Sequence, residues 1–200
     1  MSEPAIKGSA FEAAADDLMR LVEAGALRRE ALVVALEPGD FELLETKPSP
    51  SAWVPIATYA RIVDLLLRFE GRGDPAYLRA RGARAAERLF DSGLYAQLRH
   101  AQKIGEAHET QGEDAFTERD GRLIASLSGA IFNFGVWSFR NAERHYEVEA
   151  RDSAALPEVA RYATEGFLEV ITTRTRRRGV RVTIRRLSAD VIVWTIPHPD

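Results

Sequence analysis

"VWSFRNAERHYEVEAR", residues 136–151, is the stretch in which the chain changes its period. Upstream, apolar residues recur at steps of three and four. Here Trp137 and Phe139 alternate with polar neighbours before a polar break, and Tyr146, Val148 and Ala150 alternate after it. Period-two alternation on both sides of a short polar break is a β-hairpin signal. Helical spacing returns over residues 157–173, with Val159, Tyr162, Ala163, Gly166, Phe167, Val170 and Ile171 on one face. Two more alternating runs, "VRVTIRR" (180–186) and "DVIVWTI" (190–196), close the chain through "LSA". Hairpins in this order cannot form a parallel doubly wound sheet. The expected class is therefore α+β: N-terminal helices, then a β-β-α-β-β unit with a four-stranded antiparallel sheet and the long helix packed on one face.

The preceding part reads as helices. Ser9 and Glu12 form an S-x-x-E capping box ahead of Phe11, Leu18, Leu21 and Val22, with Gly25 as terminator. "RREALVVALEP" reads as a second helix stopped by Pro38 and Gly39, and "LLETKPSPSAW" as a proline-punctuated loop. A helix from about Pro55 presents Ile56, Tyr59, Ile62, Val63, Leu66 and Leu67. Gly71, Gly73 and Ala76 match a loose G-x-G-x-x-A, but a helix precedes them where a nucleotide site needs a buried strand. Gly71 then ends one helix, while Asp74 caps and Pro75 opens the next, to about Phe90. Another helix is expected around Tyr95–Ile104, then a polar loop, "GEAHETQGEDAFTERDG" (105–121), whose carboxylates and His108 fit no metal-ligand spacing. "RLIASLSGAIFNFG" reads as a buried helix in which Ser126, Ser128, Gly129 and Ala130 let a neighbour approach.

With 200 residues, 46% hydrophobic and 28% charged, the chain suits one domain over residues 1–200, mainly helical over 1–134 and strand-rich over 135–200. It has no cysteine, which excludes disulfides, thiolate nucleophiles and cysteine-ligated metal centres. The N-terminus has no basic segment leading into an apolar core, and runs such as "ALVVAL" are too short to cross a bilayer, so a cytoplasmic protein without membrane insertion is expected. No P-loop and no G-x-S-x-G occurs, and His100, His108, His145 and His198 form no ligand pair on one helix. Acid–base chemistry by carboxylates assembled in space stays open.

Four stretches, "IKGSAF", "PSAWVPIATYARIVDLLLR", "GDPAYLRARGARAAE" and "LPEVARYATEGFLEVITT…GVRVTIRR", resemble a family of uncharacterised paralogous proteins of myxobacteria. That family is distantly similar to the superfamily of vinyl-4-reductase domains, haem-dependent nitric-oxide sensors and TRAPP tethering subunits. The resemblance covers nearly the whole chain, and none of its motifs is catalytic. It implies helices followed by strand-strand-helix-strand-strand, a fold used for ligand binding and protein association, and a homodimer. The sensors' Y-x-S-x-R motif is missing, since "YATEG" at Tyr162 does not supply it, and the last hairpin lacks the cysteines frequent in vinyl-4-reductase domains. No haem, thiol-bound metal or other cofactor is therefore expected.

Two candidate sites follow. Trp137, Phe139, Tyr162, Phe167 and Trp194, beside small Ala163 and Gly166, read either as helix-on-sheet core or as a ligand pocket. Glycine inside a good helix costs about 1 kcal/mol against alanine, so a strand or ligand is expected close to Gly166. The second site is basic. Residues 171–200 carry seven arginines against Asp190 and Asp200, a balance of +5 in a chain of net charge −3, which leaves −8 for residues 1–170. Arg174, Arg176, Arg177 and Arg178 suit a helix C-terminus, and Arg181 and Arg185 the solvent face of a strand; the six are expected to form one exposed basic face for an acidic protein partner. No zinc finger, helix-turn-helix or RNA-reading aromatic motif accompanies them, so nucleic acid is not the expected partner. The expected function is a non-enzymatic regulatory or scaffold domain that binds a protein partner or small ligand. The alternatives are a small-molecule sensor with a pocket between the long helix and the sheet, and an enzyme with an unrecognised carboxylate site.

Overall fold

The computed structural model describes residues 2–92, 118–176 and 179–198. Among them the order is β1 (Ala5–Lys7), α1 (Gly8–Glu23), α2 (Arg29–Ala35), α3 (Pro38–Thr46), β2 (Trp53–Pro55), α4 (Ile56–Phe69), α5 (Pro75–Ser92), α6 (Glu118–Ile131), β3 (Val136–Asn141), β4 (His145–Arg151), α7 (Glu158–Arg176), β5 (Thr183–Ser188) and β6 (Val191–Pro197). The fold is α+β, and its main sheet is antiparallel in the order β3-β4-β6-β5. Because β6 lies antiparallel between β4 and β5, those two strands are parallel, and α7 is the crossover joining them. The alternation read in the sequence sets the faces: Tyr146, Val148, Ala150, Ile192, Trp194 and Ile196 are buried and share one apolar cluster with Phe167, Leu168 and Ile171 of α7. Arg140 and Arg151 project on the other side of the sheet and pair with Glu147 and Glu149.

Four expectations need correction. Ser9 and Glu12 do not cap α1: the helix starts at Gly8, and the N–H groups of Gly8 and Ser9 donate to the carbonyls of Ala52 (2.8 Å) and Pro50 (3.0 Å). A backbone neighbour takes the donors a side chain would have capped. Pro38 opens a helix, and the capping box lies at Glu37 and Asp40. "LLET" therefore belongs to α3, not to a loop. The third correction concerns α6, where Ser126, Gly129 and Ala130 face solvent and only Ser128 of that set is buried. The close approach happens at Gly121, where an added Cβ would strike the Phe139 ring, and residues 118–121 are helical. Fourth, "VRVTIRR" becomes strand only from Thr183. The expected helix at 95–104 and the loop at 105–117, with His100 and His108, lie outside the described residues.

The paired strands β1 and β2 are too short to show a period in the sequence. They tie the N-terminus to the far end of the helical part: Asn133, just beyond α6, accepts from Ala5 N–H at 2.6 Å and donates through Nδ2 to the Glu3 carbonyl at 2.9 Å. Gly25, Gly71, Asp74 and Pro75 act as expected. Gly25 takes φ +69° after α1, and Asp74 Oδ1 accepts from Ala76 N–H at 2.9 Å.

Gly82 of α5 and Gly166 of α7 determine the packing of the longest helices. A Cβ on Gly82 would overlap the Ala163 carbonyl, 2.6 Å from its carbon, and one on Gly166 would overlap the Arg79 carbonyl, 2.7 Å from its carbon. The close neighbour expected at Gly166 is thus a helix. We predict that Gly166→Ala or Gly82→Ala costs at least about 3 kcal/mol, the upper end of overpacking, because the obstructing atoms are backbone. Gly39→Ala, in open space within α3, is the control and should be neutral or stabilising by up to about 1 kcal/mol. Urea unfolding measures all three.

The α3–α4 contact is polar. Asp40, 1% exposed, accepts from Thr58 Oγ1 (2.6 Å), Arg61 Nε (2.6 Å), Arg61 Nη2 (2.8 Å) and the Glu37 N–H (2.9 Å). Burial alone would raise its carboxyl, but the Arg61 fork, the Thr58 hydroxyl and the Glu37 amide outweigh that and hold it below the usual carboxylate range. A carboxyl lowered on folding adds stability above its unfolded pKa and loses it as pH falls through the folded value. Asp40→Asn should therefore cost about 3–5 kcal/mol at neutral pH, as for a buried pair broken on one side, with the difference from wild type shrinking in acid. Thermal unfolding across pH 2–7 reads this out.

Candidate functional site

The arginine-rich segment folds back on the helix that precedes it. Val180 N–H donates to Thr173 Oγ1 at 3.3 Å and Val182 N–H to Glu169 Oε1 at 3.0 Å. Side chains of α7 thus take two backbone donors of the segment that leads into β5. Between α5, α7 and this segment lies an open concavity of about 490 Å³. Val170 and Val180 give it apolar lining, and Thr173 and Gly179 also line it. Its charged residues come in two pairs, Arg174 with Glu87 and Arg181 with Glu169 at 3.9 Å. The Arg174 guanidinium also stands 5.8 Å from the centre of the Phe90 ring, within cation–π range.

Behind the concavity Arg79 joins α5 to α7. Its Nη2 lies 2.6 Å from Glu169 Oε1 and 3.2 Å from Glu165 Oε1, and donates to the Val182 carbonyl at 3.2 Å. Glu165 is 4% exposed. Burial raises its carboxyl above the usual range; Arg79 opposes that, and the neighbouring Glu169 charge adds to it. One arginine therefore serves two carboxylates a helical turn apart, with Glu169 the closer.

The expected site residues fall in different places. Trp137 stacks between Phe132 (5.6 Å) and Trp194 (5.2 Å), while Phe139 stacks on Tyr146 at 5.6 Å. Among the described residues the buried indole N–H groups of Trp137 and Trp194 meet no hydrogen-bond acceptor. Tyr162 is half-buried with the Arg161 guanidinium 4.5 Å from its ring centre, Phe167 is buried, and Gly166 lies against α5. None of these six lines the concavity. Of the basic set, Arg174 and Arg181 line it and Arg185 is exposed on β5; Arg177, Arg178 and the side chain of Arg176 lie outside the described residues. Arg186 is half-buried and structural, donating to the carbonyls of Ala189 (2.6 Å) and Leu156 (2.9 Å).

Glu87, Glu169, Thr173, Arg79 and Glu165 were not singled out from the sequence. The available signal was "TEGFLE", two glutamates one turn apart beside the apolar face of the helix, which calls for a cation on a neighbouring element if they are buried. His145 and His198 are held by Glu147 (2.8 Å) and Asn141 (3.1 Å). Among the described residues no group of three or more His, Asp or Glu is placed to hold a metal, and no helix is long and apolar enough to cross a membrane. No protein-family model and no curated protein matches the chain.

A carboxyl raised on folding favours the folded state below its unfolded pKa, and that advantage is lost as pH rises through the folded value. Glu165 thus contributes less to stability at neutral pH than in acid. Glu165→Gln is expected to leave the melting temperature at pH 7 equal or higher, whereas Glu169→Gln, which weakens the hold on both Arg79 and Val182, should lower it. Equal losses in the two variants would show that Glu165 holds Arg79 as firmly as Glu169 does.

Proposed function

We propose that this chain is a non-enzymatic regulatory or scaffold domain, binding a small ligand or an acidic protein partner at the α5–α7–β5 concavity and its arginine rim. The observation that carries this reading is the convergence of Arg174 and Arg181 on one open concavity, with apolar lining from Val170 and Val180. The likeness to the myxobacterial paralogues and their superfamily supports ligand binding and protein association in a homodimer, and a cytoplasmic location is proposed from the N-terminal sequence and its short apolar runs. Against the enzyme alternative stands the burial of Glu165 and the engagement of Glu169 by Arg79 and Val182 N–H, which leave that carboxylate pair poorly placed to take a substrate proton. The aromatic sensor alternative would require the Phe132–Trp137–Trp194 stack to open.

Native mass spectrometry and sedimentation of the purified protein at micromolar concentration test the proposal together: a dimer, or a chain carrying a retained molecule, is expected, and a bare 22.2 kDa monomer in both would reject it. Replacing Arg176, Arg177 and Arg178 together by glutamate should leave the fold intact and weaken association. Tight binding of random duplex DNA that falls by about 0.9 log units per tenfold salt for each phosphate contacted would instead assign the cluster to nucleic acid.

A further inference from the structure

Resting on the binding-site reading above, we propose that the concavity takes a small amphipathic anion, a carboxylate or phosphate head on an aliphatic or aromatic body. The pairing around the site leaves its cations underused. Glu169 Oε1 is occupied by Arg79 at 2.6 Å and Val182 N–H at 3.0 Å, so it holds Arg181 only at 3.9 Å, and the Arg181 side chain is 75% exposed. Arg174 pairs with Glu87 with both side chains partly open to solvent, 45% and 39% exposed, and an ion pair of that kind contributes little and yields readily to a competitor. Thr173 Oγ1 accepts from Val180 N–H, which leaves its own proton to donate. Two guanidinium forks and a hydroxyl are the donor set that recognises a carboxylate or phosphate.

The rest of the concavity suits an apolar body. Val170 and Val180 line it, and a volume of about 490 Å³ falls within the roughly 300–1,000 Å³ typical of small-molecule sites. A cationic ligand fits less well, because Glu169 is engaged by Arg79 and the Val182 N–H and only Glu87 would be left to receive it, whereas an anion meets both Arg174 and Arg181. The head therefore bridges Arg174 and Arg181, displacing Glu87, while the body lies along the two valines.

Amide-resolved NMR titrations of the whole chain with octanoate, octyl phosphate, inorganic phosphate, octanol and octylammonium test this. Octanoate or octyl phosphate should shift the amides of Thr173, Gly179, Val180 and Arg181 saturably, while inorganic phosphate and octanol bind at least tenfold more weakly. A tenfold preference between the first two assigns the head as carboxylate or phosphate. Arg174→Gln and Arg181→Gln should each weaken binding about tenfold, the loss of one charge-assisted hydrogen bond, without changing the melting temperature. Glu87→Gln should strengthen it severalfold by removing the competitor, an effect that damage to the fold would not produce. Octanol binding as well as octanoate, or arginine variants with unchanged affinity, would overturn the proposal. Saturable binding of octylammonium at the same amides would overturn the anion class while leaving a binding concavity in place. Silence from all five probes also overturns it, and the native mass spectrum then decides separately whether the binding-domain reading survives.

Discussion

The backbone-on-backbone contact between α5 and α7 is the constraint on which the arrangement of the site depends. It is reciprocal: Gly82 makes room for the carbonyl of Ala163, and Gly166 for that of Arg79. Each carbonyl lies three residues before the glycine of its own helix, so the two notches interlock and admit one register. The helices run past each other in the same direction, since Arg79 meets Glu165 and, further along both, Glu87 meets Arg174. Interiors do not deform continuously, so a Cβ at either glycine shifts the whole helix rather than one side chain.

That approach has an electrostatic consequence. With the backbones this close, the long side chains flanking the notch cannot reach bulk water on the buried side and must find partners across it. Arg79 therefore meets Glu165 and Glu169, and Arg81, 8% exposed, turns to Asp17 of α1. Glu169 is then left to serve Arg79, Val182 N–H and Arg181 at once. Buried ion pairs of this kind give modest net stability, because desolvation offsets most of the attraction. Their effect here is positional: Glu169 fixes where the chain leaving α7 lies before it enters β5, and so shapes one wall of the concavity.

The sequence revealed elements whose pattern is long and regular. The hairpin over 136–151, the face of α7 and the helix from Ile56 show their period over enough residues to read directly, and their order was sufficient to infer the sheet. It failed where structure is made by a partner distant in sequence. The Ser9–Glu12 box has the right letters, but Pro50 and Ala52 reach the helix start first. β1 and β2 are three residues each and exist only by pairing with each other. Gly166 announced a close neighbour, yet only Gly82, hidden in "RARGARAAE", could identify it as a helix. The concavity was illegible for the same reason, since Glu87 and Arg174 stand far apart in the chain and meet only through the α5–α7 register.

Seven arginines between Thr173 and Arg186 look in sequence like a continuous basic track. In the fold the described ones have separate fates. Arg186 holds the turn between β5 and β6 and the entry to α7, Arg174 reaches across to α5, and Arg181 and Arg185 face solvent. Carboxylates from Glu87, Glu158 and Glu169 intervene within 4.0 Å of three of these side chains. An extended polyanion is held by consecutive cations free to meet successive phosphates, each intervening carboxylate adding a repulsive contact. A compact anion needs only two donors converging on one point and a weak internal rival to displace. The placement of Arg174 and Arg181 around one concavity, with Glu87 as that rival, meets the second requirement.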